Sequence, residues 1–376
     1  MVKIKLKIIK NIISKLSLGI KNKLNPSSQY LQFNISDSKI NINITSKDYY
    51  LHSESPIEID EELSGTILGE KFVDIISKLE SEDIDLDINN NALTITTISN
   101  KYTFPLVKDE SNISPFINFV DDEYSEIINN VIPGEEIATI AESNVKGFID
   151  AIFSKAIQQF IYVDNLGALT FTDNIYVNNF KHPGDNEFKI LLNVSQSNLL
   201  KIFDNIDKVN IKVFIPDDNS NIGVNFYTND NTISLSLLTQ CMDLVNTFPA
   251  EKIRNLSIDD KNRIIINKNK LNKALSRLMV FDKKFDSSIL DYSKIVFGDN
   301  SAKLISVKNH NYEIIDYDKS YIKDNQYECI IRFGDLVNQL KAVCSDTIDI
   351  SYGNGKAIII NSNIKQIIPE IKGVNK

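Results

Sequence analysis

The sequence has no tryptophan, only three cysteines and three histidines, and few glycines and prolines. Cys241, Cys329 and Cys344 form an odd set without a Cys-x-x-Cys pair, which predicts a reducing compartment and no structural zinc. No apolar run approaches the roughly 20 residues that a membrane-spanning helix needs. The N-terminal 24 residues are interrupted by lysines, which is atypical of a signal peptide. We therefore expect a cytoplasmic protein.

Sequence motifs of common enzyme classes are also absent. The chain has no phosphate-binding glycine loop, no His-Glu-x-x-His, no Gly-x-Ser-x-Gly and no glycine-rich dinucleotide turn. Acidic pairs such as Asp83 and Asp85 alternate with apolar residues, so on a strand they point together toward solvent. We predict no catalytic residue, no metal site and no cofactor, and hence a protein that is not an enzyme.

The composition is that of a soluble globular protein with a substantial core. The chain has 376 residues, of which 42% are hydrophobic and 24% charged, and the length predicts two or three domains. The formal net charge of -9 argues against a protein that coats nucleic acid with its whole surface. DNA binding then requires that the positive charge be segregated on part of the surface.

An internal repeat organises the chain. Residues 72–88, 199–215 and 336–352 align without gaps. In each segment apolar residues at helical spacing are followed by a polar joint and then by the alternation of a half-buried strand. Chance similarity between amphipathic segments of an isoleucine-rich chain is the alternative, but three matches in the same order favour a repeat.

A second helical pattern precedes each of these segments by about 60 residues, with strand-like runs between the two helices. It begins at Leu6 in the first copy, at Val145 in the second and at Leu271 in the third. The predicted fold class is α+β, with three repeated domains of two helices packed on antiparallel sheets. We place the domains at residues 1–133, 134–257 and 258–376.

Lysine and arginine concentrate on the predicted helices, whereas acidic residues concentrate on the strands. This segregation suits an acidic ring whose helices face a hole and contact DNA phosphates without reading the sequence. On any single helix, exposed lysines are ordinary solvation, and only the pattern across six helices favours DNA binding. The predicted DNA-contacting residues are Lys10, Lys15, Lys71, Lys78, Lys146, Lys155, Lys201, Lys273, Arg277 and Lys341.

Several strings resemble the bacterial-type sliding clamp of DNA polymerase III, the β clamp, over essentially the whole chain. They include residues 65–107, Thr172 and Asp173 at the position of a Thr-Asp-Gly loop, residues 242–256, and Pro369 in an apolar-Pro-apolar tail. Asn174, Ile175 and Tyr176 depart from the usual Gly-His-Arg, and five residues follow Ile371. These departures suggest a phage or mobile-element version, located in the bacterial or host cytosol.

The resemblance implies a homodimeric, head-to-tail ring that encircles duplex DNA and tethers a polymerase. It adds Lys23 to the DNA-contacting set and places Tyr102, Phe104, Met279 and Val280 at the dimer interface, where a core position is the alternative. It also implies a pocket for short motifs of polymerases and clamp loaders. The pocket residues would be Thr172, Ile175, Tyr176, Val177, Pro249, Ile253, Ile367, Ile368 and Pro369.

The sequence leaves two other functions to consider. One is a two-domain type of clamp that closes as a trimer, but the third copy of the repeat argues against it. A non-enzymatic scaffold that binds protein partners through apolar faces would share the repeat but would not persist on circular DNA.

Overall fold

A computed structural model describes residues 1–20, 30–59, 61–108, 113, 115–143, 160–171, 175–255, 262–282, 293–306, 310–322, 327–340, 343, 345–353, 357–361 and 365–369. Two compact units are present, one of residues 1–141 and 181–246, the other of residues 142–180 and 247–376. Among the described residues, no helix is long and apolar enough to cross a membrane. No group of three or more potential metal ligands lies together in these same segments.

Helices and strands alternate in the order that the repeat predicts. The first part of the chain forms β1 (Val2–Lys5), α1 (Leu6–Ile20), β2 (Tyr30–Ser36), β3 (Lys39–Thr45), β4 (Tyr49–Pro56), β5 (Leu63–Leu68), α2 (Gly69–Lys78), β6 (Asp83–Asn89), β7 (Ala92–Thr96) and β8 (Lys101–Pro105). The middle part forms β9 (Glu126–Ile132), α3 (Gly134–Thr139), β10 (Phe160–Asp164), β11 (Gly167–Phe171), β12 (Ile175–Asn179), β13 (Lys189–Asn193), α4 (Val194–Leu199), β14 (Val209–Ile215), β15 (Asn221–Tyr227) and β16 (Ile233–Cys241).

The last part repeats the pattern after a two-helix connection. It forms α5 (Met242–Asn246), α6 (Ala250–Arg254), β17 (Asn262–Asn267), α7 (Lys268–Asp282), β18 (Ser293–Phe297), β19 (Ser301–Ser306), β20 (Tyr312–Asp316), β21 (Lys319–Tyr321), β22 (Tyr327–Ile331), α8 (Phe333–Leu340), β23 (Thr347–Gly353), β24 (Ala357–Asn361) and β25 (Lys365–Pro369). Short 3-10 helices lie at residues 121–123, 140–143 and 200–203.

The three aligned segments have the predicted structure. Each begins with a helical segment and continues into β6, β14 or β23, and each of these strands pairs antiparallel with the strand that opens its repeat, β1, β9 or β17. The opening strands begin at Val2, Glu126 and Asn262, and the domain boundaries at 133/134 and 257/258 stay predictions. The helix predicted around Val145–Phe153 lies outside the described residues and stays a prediction, and α3 follows β9 directly.

The sheets build the cores of the two units. In the first unit eight strands follow the order β5-β2-β3-β4-β16-β15-β14-β9, and four more follow β1-β6-β7-β8. In the second unit β12, β25, β24, β23 and β17 are neighbours in one sheet, and β20-β19-β18-β22 form another. The apolar stripe of α1 is buried as its spacing predicts, with Ile9 and Leu16 fully enclosed.

One backbone carbonyl at the end of the second helical segment is satisfied in every repeat. The alignment places Leu79, Ile206 and Val343 at the same position. The Leu79 carbonyl accepts from Lys10 Nζ at 2.6 Å, the Ile206 carbonyl from the Gly134 backbone N–H at 3.0 Å, and the Val343 carbonyl from Lys268 Nζ. Carbonyls at a helix end lack an intrahelical partner, so each repeat supplies one from its first helix.

Candidate nucleic-acid and partner interfaces

Four of the predicted DNA-contacting lysines are exposed on helical segments, as DNA contact requires. Lys71 and Lys78 lie on α2, Lys201 on the 3-10 helix after α4, and Lys273 on α7. These side chains extend from the polar face because the apolar residues between them pack on α1, α3 or α8. Lys23, Lys146, Lys155 and Lys341 lie outside the described residues.

Three other predicted cations are engaged within the protein. Lys10 donates to the Leu79 carbonyl, and Lys15 is half-buried, so that burial lowers its pKa while the nearby Asp230 carboxylate acts in the opposite direction. Arg277 makes two hydrogen bonds to Glu313, at 2.7 and 2.8 Å, which raise the pKa of Arg277 and lower the pKa of Glu313. These three side chains thus already interact with groups of the protein itself, and their contact with DNA stays a prediction.

The predicted partner pocket joins strands from distant parts of the chain. β12 pairs with β25, so that Ile175 lies opposite Ile367 and Tyr176 opposite Gln366. α6, which carries Ile253, packs beside β12. The structure therefore brings these predicted residues together, although Thr172 lies outside the described residues and the side chains of Ile175 and Pro369 are not described.

Most of the described side chains of this set are buried. The exposed fraction is only 2–4% for Tyr176, Val177, Ile253 and Ile367 and 1% for Ile368, while Pro249 is half-buried. These buried side chains lie where β12, β25 and α6 come together. Their role in binding a partner stays a prediction.

The structure adds an ion pair and a ring stack that the sequence reasoning missed. Asp164, which closes the β10–β11 turn, accepts from the Leu166 and Gly167 N–H groups and from Arg254 of α6 at 2.6 Å. Burial raises the pKa of Asp164, although Arg254 and the backbone donors act against that rise. These contacts hold α6 against the β10–β12 meander.

The ring stack lies beside this ion pair. Tyr162 stacks on Phe248 with their ring centroids 4.8 Å apart. Burial, and secondarily the Asp164 carboxylate, raise the pKa of Tyr162 to about 12. Phe248 immediately precedes Pro249 and α6, so the stack fixes the connection that leads into that helix.

The predicted interface residues differ in their surroundings. Phe104 is 7% exposed and packs edge-on against Phe72 with the ring centroids 5.5 Å apart, and its place at the dimer interface stays a prediction. Tyr102 and Met279 are half-buried, whereas Val280 is 65% exposed. Tyr102 lies on β8, at one end of its four-stranded sheet.

A second sheet end carries exposed apolar residues that the sequence reasoning did not select. β20 is the last strand of the β20-β19-β18-β22 sheet, and Tyr312 and Ile314 on it are 56% and 57% exposed. Lys303 lies over the Tyr312 ring at 4.1 Å. Apolar residues on an open strand edge mark a surface for strand pairing. Their alternation with Glu313 and Ile315 was the available sequence signal.

The fold is that of a bacterial DNA polymerase sliding clamp along essentially the whole chain. It is similar to DNA polymerase III subunit beta from Borrelia burgdorferi, with a TM-score of 0.74, 16% identity and 98% of each chain covered. The beta subunit of Thermotoga maritima gives 0.74 and 16%, and the sliding clamp of Bacillus subtilis 0.72 and 13%, with 99% of each chain covered in both comparisons.

Sequence similarity supports the same class for the first repeat. Residues 5–112 match the family model described as DNA polymerase III beta subunit, N-terminal domain. Among curated proteins, none matches the chain. The predicted fold class and the resemblance to the β clamp are thereby confirmed, and the first repeat is similar in sequence to the N-terminal domain of the β subunit.

Proposed function

We propose that this protein is a DNA sliding clamp that closes as a head-to-tail homodimer around duplex DNA and tethers a replicative polymerase. The observation that carries the proposal is the clamp fold over nearly the whole chain, together with the N-terminal-domain match. Retention would be topological, so no base-reading contact and no catalytic group is required.

Strand pairing between successive repeats supports closure into a ring. Counting from the opening strand, the fourth strand of the first repeat, β4, pairs with the eighth strand of the second, β16. The fourth strand of the second repeat, β12, pairs likewise with the last strand of the third, β25, which is its ninth because this repeat also contains β21. The same rule, in which a fourth strand pairs with the last strand of the next repeat, leaves β20 and β8 without such a neighbour among the described residues.

A second copy of the chain supplies the missing pairing. β20 of one protomer would pair with β8 of the next, which is a heterologous contact that closes into a ring when the rotation permits. Tyr312 and Ile314 would then be covered, together with Val280 near the end of α7. Twice 42.6 kDa gives an expected mass of 85.2 kDa.

The exposed helix lysines support non-specific DNA contact. Lys71, Lys201 and Lys273 lie one in each repeat, and each neutralises about one phosphate when it contacts the backbone. The binding partners beyond DNA, a polymerase and a clamp loader that present short peptide motifs, belong to this proposal through the β12–β25 surface.

Retention on closed DNA tests the function directly. The protein is mixed with nicked circular duplex at a concentration below ring closure, concentrated, and passed through a sizing column in moderate salt. A clamp stays with circular DNA and leaves the same DNA after linearisation by a restriction enzyme. Equal loss from both forms would move the function to a protein-binding scaffold.

A further inference from the structure

A cavity of about 450 Å³ lies on one face of the eight-stranded sheet, far along the chain from the partner-pocket residues. Its floor is formed by neighbouring strands: His52 of β4 lies opposite Ser234 of β16, which lies opposite Tyr227 of β15. In the next row Asn225 lies between Ser236 and Lys212. Polar and aromatic side chains therefore share this floor.

The connection between β8 and β9 forms one wall of the cavity. Phe119 packs on Phe214 with ring centroids 4.9 Å apart, and it comes so close to Gly223 that a Cβ there would lie 2.6 Å from the Phe119 ring. Phe116 packs on Tyr50 at 4.9 Å and is 53% exposed. The connection thus places ring faces beside the polar floor and an apolar group near it.

Several acceptor atoms in this cavity have unused hydrogen-bonding capacity. Among the described residues, none donates to the buried Oδ1 atom of Asn225, which lines the cavity. The Oε1 atom of Glu54 accepts from Lys39 at 2.9 Å, while its Oε2 atom lies 4.0 Å from His52 Nε2, beyond hydrogen-bond distance. Lys212 is already matched by Asp121 at 2.6 and 2.7 Å.

His52 supplies a third acceptor. Its Nδ1 lies 2.6 Å from Asn43 Oδ1, which also accepts from the Tyr50 hydroxyl, so Nδ1 is the protonated nitrogen of the neutral ring. Burial lowers the pKa of His52, with Glu54 opposing and Lys39 assisting, and this favours the neutral ring at pH 7. The Nε2 atom is then an acceptor.

We propose that this cavity binds an arginine side chain presented by a partner polypeptide. A guanidinium offers five N–H donors in one plane, which suits the acceptors of Asn225, Glu54 and His52, and its flat face stacks on aromatic rings such as Phe119 or Tyr227. The ammonium group of a lysine has no flat face to stack on a ring, and an anion would be repelled by the acceptor atoms of the cavity. Exposed Phe116 beside the cavity favours a polypeptide, whose neighbouring residue it can contact.

The cavity lies at a position of the repeat that is equivalent to the predicted partner pocket. Counting from the turn after the second strand of each repeat shows the equivalence. Ser38 lies in the turn between β2 and β3, and Asn43, five residues later, is paired across the strands with His52. Leu166 lies in the turn between β10 and β11, and Phe171, five residues later, is paired with Ile175. The equivalent positions are His52 and Glu54 in one repeat and Ile175 and Val177 in the next, so the first junction is polar where the second is apolar.

Ligand-observed NMR with the full-length protein tests this proposal. The probes are N-acetylated, C-amidated Gly-Arg-Gly and the same peptide with citrulline or lysine in place of arginine. Saturable binding of the arginine peptide at millimolar affinity is expected, at least about tenfold tighter than the citrulline peptide, since one charge-assisted contact is worth about that factor. Equal binding of the three peptides, or none, would overturn the proposal.

Two variants locate the binding, and a third is the matched control. Asn225→Leu removes the unpartnered acceptor and Glu54→Gln the charge, and each should weaken arginine-peptide binding about tenfold. Gln32→Leu removes another buried, unpartnered acceptor of the same sheet that does not line the cavity, and binding should be unchanged. Unchanged binding in both cavity variants would place the arginine elsewhere. If free L-arginine binds more tightly than the peptide, then the ligand is free arginine and the proposal of a polypeptide ligand is wrong.

Discussion

Lysines that look equivalent in the sequence have different roles in the structure of this protein. Lys10 and Lys71 both belong to helices of the first repeat, and both fit a stripe of positive charge. Lys10 satisfies a carbonyl at the end of α2, whereas Lys71 extends into solvent. The free energy of folding should therefore depend on the first lysine and DNA retention on the second.

Lys10→Met should lower the free energy of unfolding by about 1–3 kcal/mol, because it removes a charge-assisted hydrogen bond from a helix end. Lys71→Met is the matched control and should leave stability within about 0.5 kcal/mol. Urea unfolding followed by circular dichroism measures both. Equal stability of the two variants would mean that the Lys10 contact contributes nothing.

Arg254→Met should destabilise the protein by about 3 kcal/mol near pH 7, since it leaves the Asp164 carboxylate, 12% exposed, without its charged partner. Burial already raises the pKa of Asp164, and loss of Arg254 removes a contribution that lowers it. A folded-state pKa above the unfolded value gives stability that is present at low pH and lost as pH rises through the folded pKa.

The deficit of Arg254→Met should therefore shrink as the pH is lowered through the raised pKa of Asp164, because the protonated carboxyl group no longer needs a charged partner. Adding Asp164→Asn should recover part of the lost stability at pH 7, because the amide oxygen can still accept from the Leu166 and Gly167 N–H groups. Unfolding curves at several pH values test this. A deficit that is independent of pH would rule out the charge of Asp164 as its cause.

At the scale of helices and strands, the repeats satisfy the carbonyl at the end of the second helical segment with different residues. The Gly134 N–H bonds the Ile206 carbonyl because α3 begins against that backbone, and a Cβ at Gly134 would lie 2.4–2.5 Å from the Phe203 and Ile206 carbonyl oxygens. In α8, a Cβ at Gly334 would meet nothing within 4 Å. The glycine is thus required by close approach at only one of these helices.

Gly134→Ala should destabilise the protein by at least about 2 kcal/mol through overpacking against backbone. Gly334→Ala should be neutral or stabilising by up to about 1 kcal/mol, because alanine is the better helix former and space is open. Thermal unfolding of both variants measures the contrast. Similar melting temperatures for the two would argue against the close approach of α3 to residues 203–206.

At the scale of the whole molecule, mutations can test the proposed ring closure separately from the proposed DNA retention. Ile314→Pro removes a backbone donor and an exposed apolar side chain from the open edge of β20. Light-scattering mass should fall from 85.2 kDa, twice 42.6 kDa, toward 42.6 kDa at micromolar concentration, with circular dichroism unchanged. A closed dimer that persists in this variant would exclude β20 as the pairing edge.

Charge reversal tests the helices that would face DNA. Lys71→Glu, Lys201→Glu and Lys273→Glu combined should reduce retention on circular DNA at least about tenfold while the dimer mass stays the same. The control combines Lys108→Glu, Lys181→Glu and Lys319→Glu, three exposed lysines that lie off the helices, one in each predicted domain. If both sets reduce retention equally, then net charge rather than the helix faces governs DNA binding.

The sequence by itself determined the repeat and the fold class. Apolar residues at helical spacing and then at strand alternation recur at residues 72–88, 199–215 and 336–352, and because that periodicity dictates which face is buried, the helices and strands follow from it. The pattern Lys-x-x-x-Pro is a further signal. Its lysine is the first residue and its proline the last residue of both β8 (Lys101–Pro105) and β25 (Lys365–Pro369), which are equivalent strands of their repeats.

Only the tertiary structure decided which charges are free and which edges are open. Lys10 and Arg277 are engaged by a carbonyl and a carboxylate 69 and 36 residues away, distances that no local pattern encodes. The pairing of β4 with β16 and of β12 with β25 is equally non-local, and the proposal that β8 and β20 pair with a second copy rests on it. Periodicity reports what a residue's own helix or strand requires, whereas partners are set by the packing of distant segments.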